Sequence, residues 1–298
     1  ADEELVLMSR TPEMPMLPKV PLGASIPKVI HQVMMQGWDA LPPEIVDSIA
    51  ALRDRNLDWE YRFYDAAAVE TYIGDVYGQA VLDIYDSIDP VYFAPRSDLF
   101  RYLVCYAEGG AYFDIKSTAL KPLDMIIQPG DLNVLSQWPN LSDMPPEAAG
   151  TMAAAHPELA HVPGYEYTNW FILTAAGHPF LEASVQRVIE NILRYDPFED
   201  GVGKHCAMRL GGPVAYTLAV HPLRGTAPHR WAHLTDELGI EFSIYDDPFQ
   251  HRKTLGVHYS ELARPVVRQG SVKTAATLAW FGTLKPRIMR VKRKLGLS

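Results

Sequence analysis

The chain has 298 residues, a formal net charge of −9, 48% hydrophobic and 21% charged side chains. This suits one large α/β domain or two smaller ones, and excludes a chain disordered over most of its length. The acidic balance argues against a nucleic-acid binder, which carries a basic footprint. Two distant cysteines, Cys105 and Cys206, make neither a disulfide framework nor a cysteine-rich zinc site. They read as reduced apolar fillers of a cytosolic protein. The acidic opening "ADEELVLMSR" has no sustained apolar run, so no secretory signal is expected. No stretch reaches the roughly 20 apolar residues of a membrane-spanning helix.

In chain order, residues 1–25 read as an irregular leader rich in Pro and Met. "PKVIHQVMM" (27–35) reads as a buried strand closed by the turn signal Gly37. In "PPEIVDSIAALRDRN" (42–56), Ile45, Ile49 and Leu52 recur at helical spacing behind an N-terminal proline. "WEYRFYD" (59–65) alternates like a strand, so the chain opens with a βαβ pattern. Two short helices are expected over 66–90. A longer one is expected over 94–110, with Pro95 in its first turn and Gly109 as its C-terminal cap. "AYFDI" and "DLNVLS" (131–136) read as strands. So does "EYTNWFILTAAG" (166–177), followed by the amphipathic helix 178–195. A helix starts on Gly211–Gly212–Pro213, and 240–247 and 256–261 are late strand-and-loop elements. Irregular insertions are expected at about 137–165 and 196–210.

The charge is unevenly spread. From Arg264 onward there are nine Lys or Arg and no Asp or Glu, so 18 bases face 36 acids in the first 263 residues. In this tail Leu278, Trp280, Phe281, Leu284, Ile288 and Val291 are interleaved with the bases. The pattern suits a peripheral helix on an anionic membrane surface. The plainer reading is a C-terminal helix that docks its apolar stripe on the body and leaves its bases in water.

The stretch that carries chemistry is 98–117, ending in "EGGAYFDIKS". Asp98 and Arg101 are neighbours on one helix face. The glycine pair permits a sharp reversal into a strand. Asp114 then lies at the strand's carboxyl end, where open α/β sheets bind ligands. If the segment stays extended, Lys116 points the same way, and an acid and a base at such a rim can grip ribose hydroxyls and diphosphate oxygens. The plainer reading is a surface ion pair and a common D-x-K. His31 reads as a hydrogen-bonded structural histidine rather than an acid or base. His156, His161, His178 and His205 lack zinc-ligand spacing. Tyr165, Tyr167 and Trp170 suit a sugar face or the core equally.

"IPKVIHQ" (26–32), "SDLFRYLVCYAEGGAYFDIKS" (97–117) and "KPLD" (121–124) resemble the family 32 glycosyltransferases, DXD-containing sugar transferases related to fungal mannosyltransferases and to bacterial capsule and lipopolysaccharide enzymes. "TNWFILTAAGHPFL" (168–181), "LGGPVAYT" (210–217) and "VHYSE" (257–261) match further habits of that family, in order. The resemblance covers about 26–260.

It implies a GT-A type α/β fold: a Rossmann-like mixed nucleotide-binding sheet with helices on both faces and acceptor-side insertions, spanning 26–263 between the leader and the 264–298 tail. It also implies a retaining transfer of a hexose from a nucleotide-sugar, UDP- or GDP-linked, to a glycan or glycolipid acceptor. Such an enzyme would be cytoplasmic, peripheral on the inner membrane face. By the resemblance, Asp98 and Arg101 hold donor-sugar hydroxyls. Asp114 is the first DXD aspartate, near ribose and metal, and Asn169 lines the donor-sugar side. His31, Gln32 and Met34 belong to the nucleotide side, and His258 approaches the diphosphate, a second metal-ligand candidate beside Asp114. The Gly211–Gly212–Pro213 turn opens a helix near the site, with Thr217 inside it.

Two positions depart from the pattern. The last DXD aspartate is Lys116, which cannot ligate Mg²⁺ or Mn²⁺ as a cation. Its ammonium can instead stabilise the leaving diphosphate, the metal's usual role; metal dependence is then weak or absent, and otherwise Asp114, a nearby acid and His258 keep Mg²⁺ or Mn²⁺. Met34 stands where the family often has an aromatic residue that stacks on the base. The competing readings are a nucleotide-sugar-binding pseudoenzyme, which Lys116 favours, and a glycoside hydrolase using Asp98 and Glu166.

Overall fold

The computed structural model describes residues 13–138, 156–245 and 262–294. The βαβ start is present as β1 (Val29–Val33), α1 (Pro43–Asp54) and β2 (Glu60–Tyr64). Next come α2 (Ala66–Tyr77) and α3 (Gln79–Ser87), then α4 (Phe93–Glu108), which runs directly into β3 (Gly109–Phe113). The minor strand β4 (Thr118–Ala119), β5 (Asn133–Leu135), β6 (Phe171–Ala175) and α5 (Pro179–Arg194) follow. The order closes with α6 (Gly203–Leu210), α7 (Pro213–Val220), β7 (Arg230–Trp231) and β8 (Ile240–Glu241).

Six strands form one mixed sheet in the order β2-β1-β3-β6-β5-β7, and β4 pairs with β8 apart from it. β1 runs parallel to β2 and β3, while β6 lies antiparallel to both β3 and β5. β5 and β7 are parallel. This is the expected α/β class with a mixed sheet and helices on both faces.

The pleat divides the core as strand alternation requires. Tyr112, Ile172 and Leu135 face a cluster built with α2 to α7. Ala111, Phe113, Phe171, Leu173 and Val134 face a second cluster that includes Leu52 of α1 and the one-turn helix Leu123–Ile126. A third, smaller cluster joins Ile45 and Ile49 of α1 to Met34, Leu41, Ile115 and Tyr245. Helix α4 is buried on nearly every side, so it carries no amphipathic stripe toward water, and its charged residues Arg96, Asp98 and Arg101 are interior.

The α4–β3 corner explains the glycine pair. Gly109 and Gly110 have φ of 72° and 100°, open to glycine at little cost. A Cβ on Gly109 would lie 2.5 Å from the Ala176 nitrogen, and one on Gly110 would lie 2.6 Å from the Val29 carbonyl oxygen. The helix therefore folds back flat against its own strand. Its N-terminal half returns to the carboxyl end of β3.

Two expectations are corrected here. Residues 196–210 are not irregular: a one-turn helix spans Pro197–Asp200 and α6 spans Gly203–Leu210. The Asp196 carboxylate caps the first by accepting from the Phe198 amide at 2.9 Å. The strand expected at 166–177 is shorter, Phe171–Ala175. The late element at 256–261 lies outside the described residues. The tail forms α8 (Ser271–Ala279), a wide turn at Trp280–Leu284 and α9 (Lys285–Lys294). Among the described residues, no helix is long and apolar enough to cross a membrane.

Candidate active site

The carboxyl ends of β1 and β3 and the start of β6 converge at one rim, because β6 runs against β3. Arg101 is the centre of the site. Its Nη2 lies 3.0 Å from Asp98 Oδ1 and 3.0 Å from Asp114 Oδ1. Its Nη1 donates to the Asn169 backbone oxygen at 2.7 Å, and its guanidinium carbon sits 4.9 Å from the centre of the Tyr112 ring. One buried cation thus ties α4, β3 and the chain entering β6 together.

Asp98 has a second set of contacts. The Asn169 side-chain amide donates to its Oδ1 at 3.4 Å and to the Tyr102 hydroxyl oxygen at 2.8 Å. Tyr102 in turn donates to the Gly211 carbonyl at 2.9 Å and stacks on Tyr216 of α7, with ring centroids 5.5 Å apart. A Cβ on Gly211 would lie 3.2 Å from the Asp98 Cβ, so the Gly–Gly–Pro turn does abut the site. Burial pushes the Asp98 carboxyl up to about 6, outweighing the Arg101 charge beside it. Thr217 is spent on structure: its hydroxyl donates to the Pro213 carbonyl and accepts from the Tyr167 amide.

Asp114 lies one residue beyond β3. Its amide donates to the Trp170 carbonyl at 2.8 Å, and Tyr112 donates to its Oδ1 at 3.3 Å. The extended geometry ends here. The Ser117 amide donates to the Asp114 carbonyl at 2.8 Å, closing a turn. The stretch from Asp114 to Ser117 is thus a turn, not the extended segment on which the shared-side expectation rested. The Lys116 ammonium sits 3.7 Å above the centre of the Phe242 ring. Phe242 packs on Trp138 and Trp170, which also meet each other, at centroid distances of 5.0 to 5.6 Å. Lys116 is thus backed by an aromatic wall, which sequence reasoning found only at Trp170.

The nucleotide-side residues are supports. Nε2 of the fully buried His31 is 3.0 Å from the Gly109 carbonyl, and Nδ1 is 3.0 Å from the Tyr64 hydroxyl. A carbonyl only accepts, so Nε2 carries the proton and Nδ1 takes the tyrosine proton. Burial lowers the imidazole to about 4, so it stays neutral at pH 7. That matches the structural reading of His31. The Gln32 amide donates to the Asp114 carbonyl and its oxygen accepts from Tyr61. Met34 packs among Leu41, Ile45, Ile49 and Ile115 and is 7% exposed. His258 lies outside the described residues.

The donor set is poor for a divalent cation. Mg²⁺ and Ca²⁺ take about six or more oxygen ligands. At this rim Asp114 has one oxygen already shared by Arg101 and Tyr112, and the next charged side chain is a lysine. Asp98 is likewise engaged by Arg101 and Asn169. Among the described residues, no group of three or more His, Cys, Asp or Glu stands ready to hold a metal ion. The described residues at the rim do not fit a metal.

Residues 42–131, which contain Asp98, Arg101, Asp114 and Lys116, match a family model described as "Glycosyltransferase sugar-binding region containing DXD motif". The matched segment is under a third of the chain and holds the motif residues that carry the resemblance to the DXD glycosyltransferases. Three curated relatives match parts of the chain. A sequence called uncharacterized glycosyltransferase L373, from Acanthamoeba polyphaga mimivirus, is 26% identical over 33% of this chain and 38% of its own length. The initiation-specific alpha-1,6-mannosyltransferase of Candida albicans is 25% identical over 55% of this chain and 43% of its own. Inositol phosphoceramide mannosyltransferase 3 of Schizosaccharomyces pombe is 30% identical over 35% of this chain and 28% of its own. The chain therefore spans less than half the length of each. Among solved structures, the PaToxG glycosyltransferase aligns over 88% of this chain and 87% of its own, with a TM-score of 0.46 and 15% identity.

Proposed function

We propose that the chain is a retaining hexosyltransferase, moving a sugar from a nucleotide-sugar donor to a growing surface glycan or glycolipid. The observation that carries this is the Arg101 bridge between Asp98 and Asp114 at a strand-end rim, inside the matched sugar-binding region. Such a pair of oriented carboxylates, Asp98 buried and Asp114 partly exposed, suits bidentate capture of sugar hydroxyls, which donate to both. Two of the relatives are named mannosyltransferases, one of an inositol phosphoceramide. That favours a mannosyl donor and a lipid-linked acceptor.

In the proposed reaction the donor sugar lies between Asp98 and Asp114. Lys116 faces the diphosphate and offsets the charge that grows as the sugar–phosphate bond breaks. The acceptor hydroxyl attacks from the same face as the departing diphosphate. A donor phosphate oxygen takes its proton, so no enzyme nucleophile is required. The chain contributes position and charge. The pseudoenzyme reading shares this site and differs only in turnover. A thermal-shift panel of UDP- and GDP-sugars is expected to show stabilisation by one donor. No stabilisation by any nucleotide-sugar would overturn the assignment.

The tail extends the proposal to a peripheral site on an anionic membrane. Trp280, Leu284, Ile288 and Val291 recur at i, i+4, i+8 and i+11 and remain 38 to 55% exposed, rather than docked on the body. Contacts to the body come from the buried Thr277, from Phe281 against Phe198 and from a Lys273–Asp196 ion pair at 2.7 Å. An exposed apolar stripe flanked by Lys285, Arg287 and Arg290 suits a bilayer surface with acidic headgroups. The whole chain is expected to co-sediment with phosphatidylglycerol vesicles and to be released by salt. Leu284→Glu with Ile288→Glu should abolish this. Equal sedimentation of that variant, or none by the parent chain, would contradict it.

A further inference from the structure

Glu166 is the acid the proposed chemistry leaves unused. It is 7% exposed, and its Oε2 is buried with no hydrogen-bond partner. The Trp138 indole hydrogen-bonds its carboxylate, and Lys204 is the charged group that acts on it most. Burial pushes this carboxyl up to about 7. A buried carboxylate oxygen without a partner costs free energy, so a fold that keeps one calls for an explanation. Trp170, 4% exposed, has an unpartnered indole nitrogen and packs on the same Trp138 ring.

The backbone holds Glu166 in place at a cost. Tyr165, immediately before it, has φ of 60°, the one positive φ at a non-glycine among the described residues. The Gln137 amide clamps that turn, donating to the Pro163 carbonyl at 2.8 Å and the Tyr165 carbonyl at 3.2 Å. Glu166 is three residues before Asn169, whose backbone oxygen binds Arg101. Three residues of chain span at most about 11 Å, which keeps the Glu166 backbone within that reach of Asn169, itself bonded to Arg101.

A carboxyl group and an adjoining indole wall are the pairing that binds a sugar: the acid takes hydroxyls and the ring covers the apolar face. We propose that Glu166 and Trp138 form the acceptor-sugar subsite, with Glu166 hydrogen-bonding acceptor hydroxyls and so selecting a pyranoside as acceptor. This rests on the transferase reading and adds the residues that choose the acceptor. Glu166 then touches acceptor alone, and the donor is held by the α4–β3 rim.

The test uses methyl α- and β-hexopyranosides as probes, with binding to the whole chain read by saturation-transfer NMR. The chain is expected to bind at least one glycoside. Glu166→Gln should weaken that binding by roughly 10-fold or more, in line with loss of a hydrogen bond to a charged group. The variant should keep an unchanged or higher Tm and the same donor-induced thermal shift. Trp138→Ala should weaken glycoside binding too. Equal glycoside binding by Glu166→Gln, or none by the parent chain, would overturn the subsite while a donor shift left the transferase reading standing. Absence of any donor shift would remove the reading itself.

Discussion

Replacing Arg101 with methionine is expected to cost the protein about 3–5 kcal/mol of stability, as well as its donor binding. The size follows from burial. The Arg101 side chain is 5% exposed and that of Asp98 is 10% exposed. Removing one partner of such a pair leaves an uncompensated charge in a low-dielectric interior, which destabilises by roughly that amount. At roughly 2–4 °C per kcal/mol for a large domain, the Tm should fall by about 10 °C. The methionine fills most of the volume, so packing loss is small. Arg101→Lys should fall between: it keeps the charge but loses the fork that reaches Asp98, Asp114 and the Asn169 carbonyl together. Adding Asp98→Asn to Arg101→Met should restore part of the Tm, because the orphaned charge is gone, without restoring donor binding. A Tm unchanged in Arg101→Met would show that the bridge is not what orders this rim.

The second large effect concerns Lys116. In the proposed reaction it faces the diphosphate, and it is expected to carry a transition-state contribution like that of an oxyanion-hole donor. Lys116→Ala should therefore lower turnover roughly 10²- to 10³-fold. Donor binding should weaken far less, since the α4–β3 rim remains. Turnover by the parent chain should survive excess EDTA, because the ammonium takes the metal's place at the diphosphate. Full loss in EDTA, restored by Mn²⁺, would show that a cation does this work after all. Lys116→Asp would rebuild the D-x-D spacing. It should be inactive without metal, because it replaces the ammonium proposed to face the diphosphate with a negative charge.

Where local pattern and tertiary contact agree, the elements were legible in the sequence. The helix at Pro179–Arg194 declares itself by Phe180, Leu181, Val185, Val188, Ile189 and Ile192 on one face. The βαβ opening was readable for the same reason. Short elements were not. β7 is two residues, too few for a period, and it exists because β5 pairs with it and because Arg230 is held by Asp131 at 2.8 Å. Of the site, the motif residues Asp98, Arg101, Asp114 and Asn169 were named, and the structure brings all four together. Their supports were missed. Tyr102 and Tyr112 look like core tyrosines, and their roles depend on which carbonyl or carboxylate the fold brings near. The turn after Asp114 was missed because alternation assumes an extended chain, and the Ser117 amide ends it. Phe242 lies 126 residues from Lys116 in the chain, so only the fold shows them as neighbours.

The most direct test is release of free nucleoside diphosphate from the stabilising nucleotide-sugar, comparing the parent chain with Asp114→Asn. Steady release by the parent chain is expected, increased by a pyranoside acceptor, with a rate at least about 100-fold lower in the variant, as for loss of a key site group. No release from any UDP- or GDP-sugar, or equal release by Asp114→Asn, would contradict the transferase reading.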